Sequence, residues 1–279
     1  AEDLRQEAEQ ITSELAQSSS FLFETQSSLD PVNLVDGVRV VVVLAPPANL
    51  PEIAASKPDI QFVVIQPTTD ISPSGNLSVV RSDSQQQAFI AGYLTTIIAF
   101  DWRAAGLFSA DDPQSELLEE GFNNGGSYFC GRCAPVYSPI VLFPLTAIIP
   151  SGEGAAIWQP VVDPLLQTYL YVIYLTKNTA DADLLAYLSG YDMVFVGEDA
   201  PPEEYRSRWA ASVVQDPLSP LADIWPDLIQ GSGGKDIRAS ITITDVNSEY
   251  LSPGRLDLVN QTIQDLQSGL ISAETPIYP

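Results

Sequence analysis

At 279 residues, with hydrophobic residues making up 45% and spread over the whole length, the chain is long enough for two modest lobes or one large α/β unit and reads as globular. Twelve Lys and Arg stand against 36 Asp and Glu, a net charge of −24 without a single histidine; such a field repels phosphate backbones, and the commonest metal ligand and general base are missing. Nucleic-acid binding is not expected, and no apolar run reaches the ~18 residues of a membrane span.

The chain begins Ala-Glu-Asp-Leu and its one methionine is Met193, so a processed or trimmed start is expected. Residues from Ala1 to Gln17 carry Leu4, Ala8, Ile11 and Leu15 at helical spacing. Continuous apolar runs at Phe21–Thr25, Val38–Ala45 and Ile60–Gln66 read as strands covered on both faces, the mark of a parallel sheet. A helix is predicted over Ser84–Phe100, with Asp83 or Ser84 as its cap, then a strand over Arg103–Ser109. The helix after it runs over Ser115–Asn123 and gives way to a glycine-rich stretch at Asn124, Gly125 and Gly126. Strands near Ile140–Ile149, Tyr169–Thr176 and Tyr191–Gly197 alternate with helices near Ala155–Gln167 and Ala180–Leu188, a βαβ rhythm. Pro201-Pro202 reads as a hinge crossing. The tail holds a helix over Leu218–Ile229, a loop at Gly231–Gly234, a strand over Ile237–Asp245 and a helix over Ser252–Leu270, capped by Ser252 with Pro253 in its first turn.

Cys130 and Cys133 form a Cys-Gly-Arg-Cys pair. A short-loop disulfide in an oxidising compartment is the first reading, two free thiols the second, and redox or metal chemistry the last, since no second half of a metal site follows. Asp111-Asp112 and Glu119-Glu120 read as solvated acidic faces without calcium-loop spacing. The Gly231–Gly234 loop precedes a strand and lacks the Lys-Ser/Thr ending of a phosphate loop. No G-x-S-x-G elbow is present, and without histidine no catalytic constellation assembles. The chain is expected not to be an enzyme and to use neither metal nor cofactor.

Lys57-Pro-Asp-Ile-Gln-Phe-Val-Val-Ile65, then Asn76-Leu-Ser-Val-Val80, then Gln87-Ala-Phe-Ile-Ala-Gly-Tyr-Leu94, resemble successive motifs of the basic membrane protein (BMP) family of ABC-transporter substrate-binding lipoproteins. Ala105-Gly-Leu-Phe108, Gly121-Phe-Asn-Asn-Gly125, Val196-Gly-Glu-Asp199, Ala211-Ser-Val-Val214 and Leu266-Gln-Ser-Gly269 extend the likeness in the same order. The resemblance implies the periplasmic-binding-protein type I fold: two Rossmann-like α/β lobes, parallel sheets flanked by helices, joined by hinge crossings that close on a small ligand such as a nucleoside. Lobe one would be roughly 1–102 with 206–236, and lobe two 103–205 with 237–279. The family's strand aspartate is replaced by Gln66 and its lysine by Gln215, whereas Asp199 stays in place to accept ligand hydroxyls or, on the plainer reading, to end a strand. For each of the dispersed tryptophans core packing is the first reading, and Trp158 and Trp209 are the preferred candidates for a cleft role. The expected ligand set is Gln66, Trp158, Asp199 and Gln215.

The resemblance further implies an ABC permease partner and an extracytoplasmic site, periplasmic or cell-surface, with a lipid anchor upstream. The family's first strand precedes its first helix, with which this chain begins; a sheet lacking that strand would invite self-association through an open edge. A surface or filament-forming subunit with a decayed pocket, assembled by strand exchange, is the alternative function.

Overall fold

The computed structural model describes residues 2–34, 37–67 and 69–274. Helices and strands follow in the order α1 (Glu2–Ser18), β1 (Val40–Val43), α2 (Leu50–Ser56), β2 (Gln61–Ile65), β3 (Leu77–Arg81), α3 (Ser84–Ile98), β4 (Ala104–Ser109), α4 (Ser115–Cys130), β5 (Leu145–Ile149), α5 (Ala155–Leu166), β6 (Val172–Leu175), α6 (Ala182–Ser189), β7 (Val194–Gly197), β8 (Trp209–Asp216), α7 (Pro220–Ile229), β9 (Asp236–Arg238), β10 (Ser240–Thr244) and α8 (Pro253–Gln267). Ala1, where the sequence pattern starts its helix, lies outside the described residues.

The chain divides into two compact units, Ala1–Asp83 with Gln215–Ser240, and Ser84–Val214 with Ile241–Pro279. The sequence expectation divides it at 102, 205 and 236; these units divide it at 83, 214 and 240. Pro201-Pro202, read from sequence as a crossing, lies inside the second unit between β7 and β8.

In the first unit the strands order as β1-β2-β3-β9, and every neighbouring pair is parallel. Period-two alternation sends Phe62 and Val64 to one face, against Leu50 and Ile53 of α2, and Val63 and Ile65 to the other, against Ala8 of α1 and Leu221 and Trp225 of α7. Both faces are therefore covered, which is why β2 is apolar at four of its five positions. β1 is an edge strand: Val40 and Val42 pack on one core, Val41 and Val43 on the other, yet among the described residues its ladder partner is β2 alone.

The second unit orders its strands as β10-β8-β7-β6-β4-β5, parallel from β8 through to β5. Helices α3, α4 and α8 cover one face over Phe108, Tyr174 and Val196; α5 and α6 cover the other over Leu107, Ile173 and Phe195.

Three stretches differ from expectation for physical reasons. Phe21–Thr25 forms no strand: apolar and β-branched residues suit a sheet, but a strand exists only against a ladder partner, and Leu22 here is fully exposed. α4 does not stop at Asn123 but continues through the glycines to Cys130. Those glycines are contact points, since a Cβ on Gly125 would lie 1.8 Å from the Phe89 carbonyl oxygen, and one on Gly92 of α3 1.9 Å from that of Phe122. The close approach of the two helices offsets the roughly 1 kcal/mol that a mid-helix glycine costs relative to alanine. Finally, Ile237–Asp245 is two strands, because the path passes from one sheet to the other between Arg238 and Ser240.

Candidate functional site

Parallel sheets place ligands outside the carboxyl ends of their strands, where loops carry polar groups and strand order reverses. The two units hold different chemistry there.

In the first unit β2 ends at Ile65, and Gln66 after it has a φ of 47° that turns the chain into the left-handed region. Its amide nitrogen donates to Ser82 Oγ. The next residue, Asp83, donates its backbone N–H to Gln215 Oε1 at 2.7 Å and accepts from Arg238 Nη1 at its carboxylate. Ala239 N–H adds a bond to the Arg81 carbonyl at 2.8 Å. Gln66 and Gln215 are thus brought to the same strand end, one through Ser82 and the other through Asp83. The latter bonds also tie together the first-unit ends of all three crossings.

In the second unit Asp199 follows β7 at the carboxyl edge, 58% exposed at its side chain and 2.9 Å from Lys177 Nζ. Ser212 Oγ donates to the Asp199 carbonyl at 2.7 Å, and Trp209 Nε1 donates to Ser212 Oγ at 3.0 Å. Gly197 is needed beneath this turn, because a Cβ would sit 2.2 Å from the Trp209 indole. Trp209, a cleft candidate by sequence, is therefore a buried support for the turn.

Glu198, a residue that pattern reading passes over, is half-buried beside Asp199. It accepts from Tyr174 Oη at 2.6 Å and from the Lys177 N–H at 2.8 Å. Burial pushes its carboxyl up, the two hydrogen bonds pull it down, and the charges of Asp199 and Asp112 push it up again; the net position is above the usual glutamate value. Burial first, and then the Glu198 charge, hold the Tyr174 phenol well above its ordinary range. The signal for Glu198 was its place inside Val196-Gly-Glu-Asp199, one step from the expected ligand residue.

Trp158 is not brought to this edge. It is 4% exposed, packed in the α5–α6 core with its ring centre 4.9 Å from that of Tyr187. Its indole N–H has no partner within the described residues. Cys130 and Cys133 close a disulfide at the end of α4, Cα atoms 5.3 Å apart. Among the described residues no cluster of three metal-ligating side chains occurs, and no helix is long and apolar enough to cross a membrane.

No protein-family model matches the chain, and no curated protein does. Solved structures do. An ABC transporter solute-binding protein from Conexibacter woesei superposes with a TM-score of 0.63 at 15% identity, covering 96% of this chain and 91% of its own. A second ABC transporter solute-binding protein, from Aeropyrum pernix, gives 0.52 at 14% identity, covering 95% and 87%. A transcriptional activator of the comK gene from Bacillus halodurans gives 0.52 at 14%, covering 87% and 81%. Likeness at such identities is likeness of fold, and the fold is that of the type I periplasmic binding proteins: two α/β units with parallel sheets flanked by helices.

Proposed function

We propose that the chain is an extracytoplasmic solute-binding protein of BMP type, lipid-anchored, which captures a small polar solute such as a nucleoside and delivers it to an ABC permease. The observation that carries the reading is Asp199: a carboxylate presented at the carboxyl edge of a parallel sheet, 58% exposed, on a turn buttressed from below by Trp209 and Ser212. A buttressed turn holds its geometry when a ligand arrives, which lowers the ordering cost of binding. Gln66 and Gln215 supply neutral donors and acceptors where the family carries charges, so hydroxyl- and amide-rich ligands suit them better than anions. The sequence motifs and the fold shared with two ABC solute-binding proteins support the same reading.

Calorimetric titration with a nucleoside panel tests it. Replacing Asp199 with Ala should weaken the best ligand at least about tenfold, which is ~1.4 kcal/mol. Unchanged affinity removes Asp199 from the site, and a chain that takes up no member of the panel defeats the nucleoside assignment.

A second reading, assembly by strand addition, is favoured by β1, an edge strand with apolar side chains on both faces. Head-to-tail strand exchange builds open polymers, so light scattering of the isolated chain should show species growing well beyond a dimer.

A further inference from the structure

The segment between α4 and β5 is apolar, exposed and yet firmly held. Val136, Tyr137, Ile140 and Leu142 are 77%, 63%, 64% and 59% exposed, and Phe100 and Tyr169 beside them 64% and 71%. A buried hub ties Phe100, Val136, Tyr137 and the turn before Tyr169 together. Asp101 accepts from the Val136 and Tyr137 amides at 2.6 and 3.3 Å. Arg103 pairs with Asp101 at 3.3 Å and donates to the Tyr137 carbonyl at 2.6 Å. Its other terminal nitrogen donates to the Thr168 carbonyl, which fixes the turn carrying Tyr169, and its own amide donates to the Phe100 carbonyl at 3.2 Å. Cys130–Cys133 and the bond from the Phe143 amide to the Cys133 carbonyl, 3.0 Å, close the base.

The charge pattern is as unusual as the exposure. From Gly121 through Gly152 the chain contains no Asp or Glu and only Arg132 as a charge, in a protein of net charge −24. Asp101, the acid nearest in the network, is consumed by Arg103 in the hub, with side-chain exposures of 4% and 7%. At about 200 Å² for a fully exposed aromatic side chain, and less for Val, Ile and Leu, the six together expose several hundred Å², of the order of the ~300–600 Å² of the largest patch on a typical monomer and of the ~800 Å² each partner contributes to a standard interface.

We propose that this face of the second unit is a self-association surface, through which two copies of the chain form a closed, isologous dimer. A patch of apolar and tyrosine side chains is complementary to itself across a two-fold axis. Any acid-rich face would bring carboxylates against carboxylates, whereas this segment contributes no carboxylate and carries Arg132 as its one charge. The hub has already ordered the loop, so little conformational entropy remains to be lost on docking. The long-range repulsion between two −24 bodies persists, and salt screens it. Dimerisation should therefore strengthen with ionic strength, the opposite of docking onto a basic partner. The inference does not depend on the ligand reading.

Sedimentation velocity of the whole chain at about 0.01 M and about 1 M sodium chloride tests it. The expected result is a monomer–dimer equilibrium that tightens at high salt and is weakened at least tenfold by Tyr137→Glu and by Ile140→Glu. Both side chains point to solvent, and the backbone bonds to the hub stay in place, so circular dichroism should match the parent. A monomer at both salt concentrations overturns the proposal, as does a dimer that neither variant weakens. Co-sedimentation with phosphatidylcholine vesicles by a chain that is monomeric without them would also overturn it, assigning the face to a bilayer.

Discussion

Glu198 shows how one carboxylate at the carboxyl edge of a sheet can act on stability. Its folded pKa lies above its usual value, so the protonated form is the better fit to its site. The favourable contribution of this group is present below the ordinary glutamate pKa and lost as pH rises through the folded one. At neutral pH the ionised group thus costs stability. Glu198→Gln keeps the shape, its oxygen able to accept from the Lys177 N–H and its nitrogen able to donate to Tyr174. It should raise the melting temperature near pH 7 and match the parent near pH 4; an equal or lower value near neutrality would show that burial of this charge is not costly. The strand-end position of Asp199 was legible because its motif is short and ends a strand. Glu198 was not, because its partners, Tyr174 in β6 and the Lys177 amide just after it, lie more than 20 positions away. Trp158 could be read two ways from sequence for a related reason: an indole on an amphipathic helix looks the same whether it faces a ligand or the ring of Tyr187.

At the scale of elements, the decisive contact is between α3 and α4. The obstruction to a larger residue at Gly92 or Gly125 is backbone, Phe122 O in one case and Phe89 O in the other. No rotamer change can relieve that clash, so the helices must move apart. Gly125→Ala should lower stability by about 1–3 kcal/mol or more, read as a lower urea midpoint. Gly254→Ala in α8, where a Cβ meets nothing within 4 Å, should be neutral or slightly stabilising through helix propensity. The same contact explains why a run such as Asn123-Asn124-Gly125-Gly126 could not be read as helix: local propensity points to a turn, and the reason to stay helical sits on another element. Most strands were legible as continuous apolar runs. β3 was not assigned from sequence, because Ser78 interrupts Leu77–Val80, and its hydroxyl is spoken for by the Lys235 amide, just before β9 and more than 150 residues downstream.

At the scale of the molecule, the βαβ rhythm gave the fold class. The pass-over points between units, 83, 214 and 240, left no sequence mark. They are built from ordinary polar residues, and what distinguishes Asp83, Gln215 and Arg238 is that they bond to one another across 132 and 155 positions. Such a layout makes the connection between the units redundant in the manner of a cable with three strands. A protease that cuts one crossing leaves two intact covalent paths, and neither unit can be released as a fragment, because each is assembled from separated stretches of chain. A singly nicked protein should therefore elute at its original size under native conditions and separate into two pieces only in denaturant, while early loss of a free, folded unit would contradict the threefold connection.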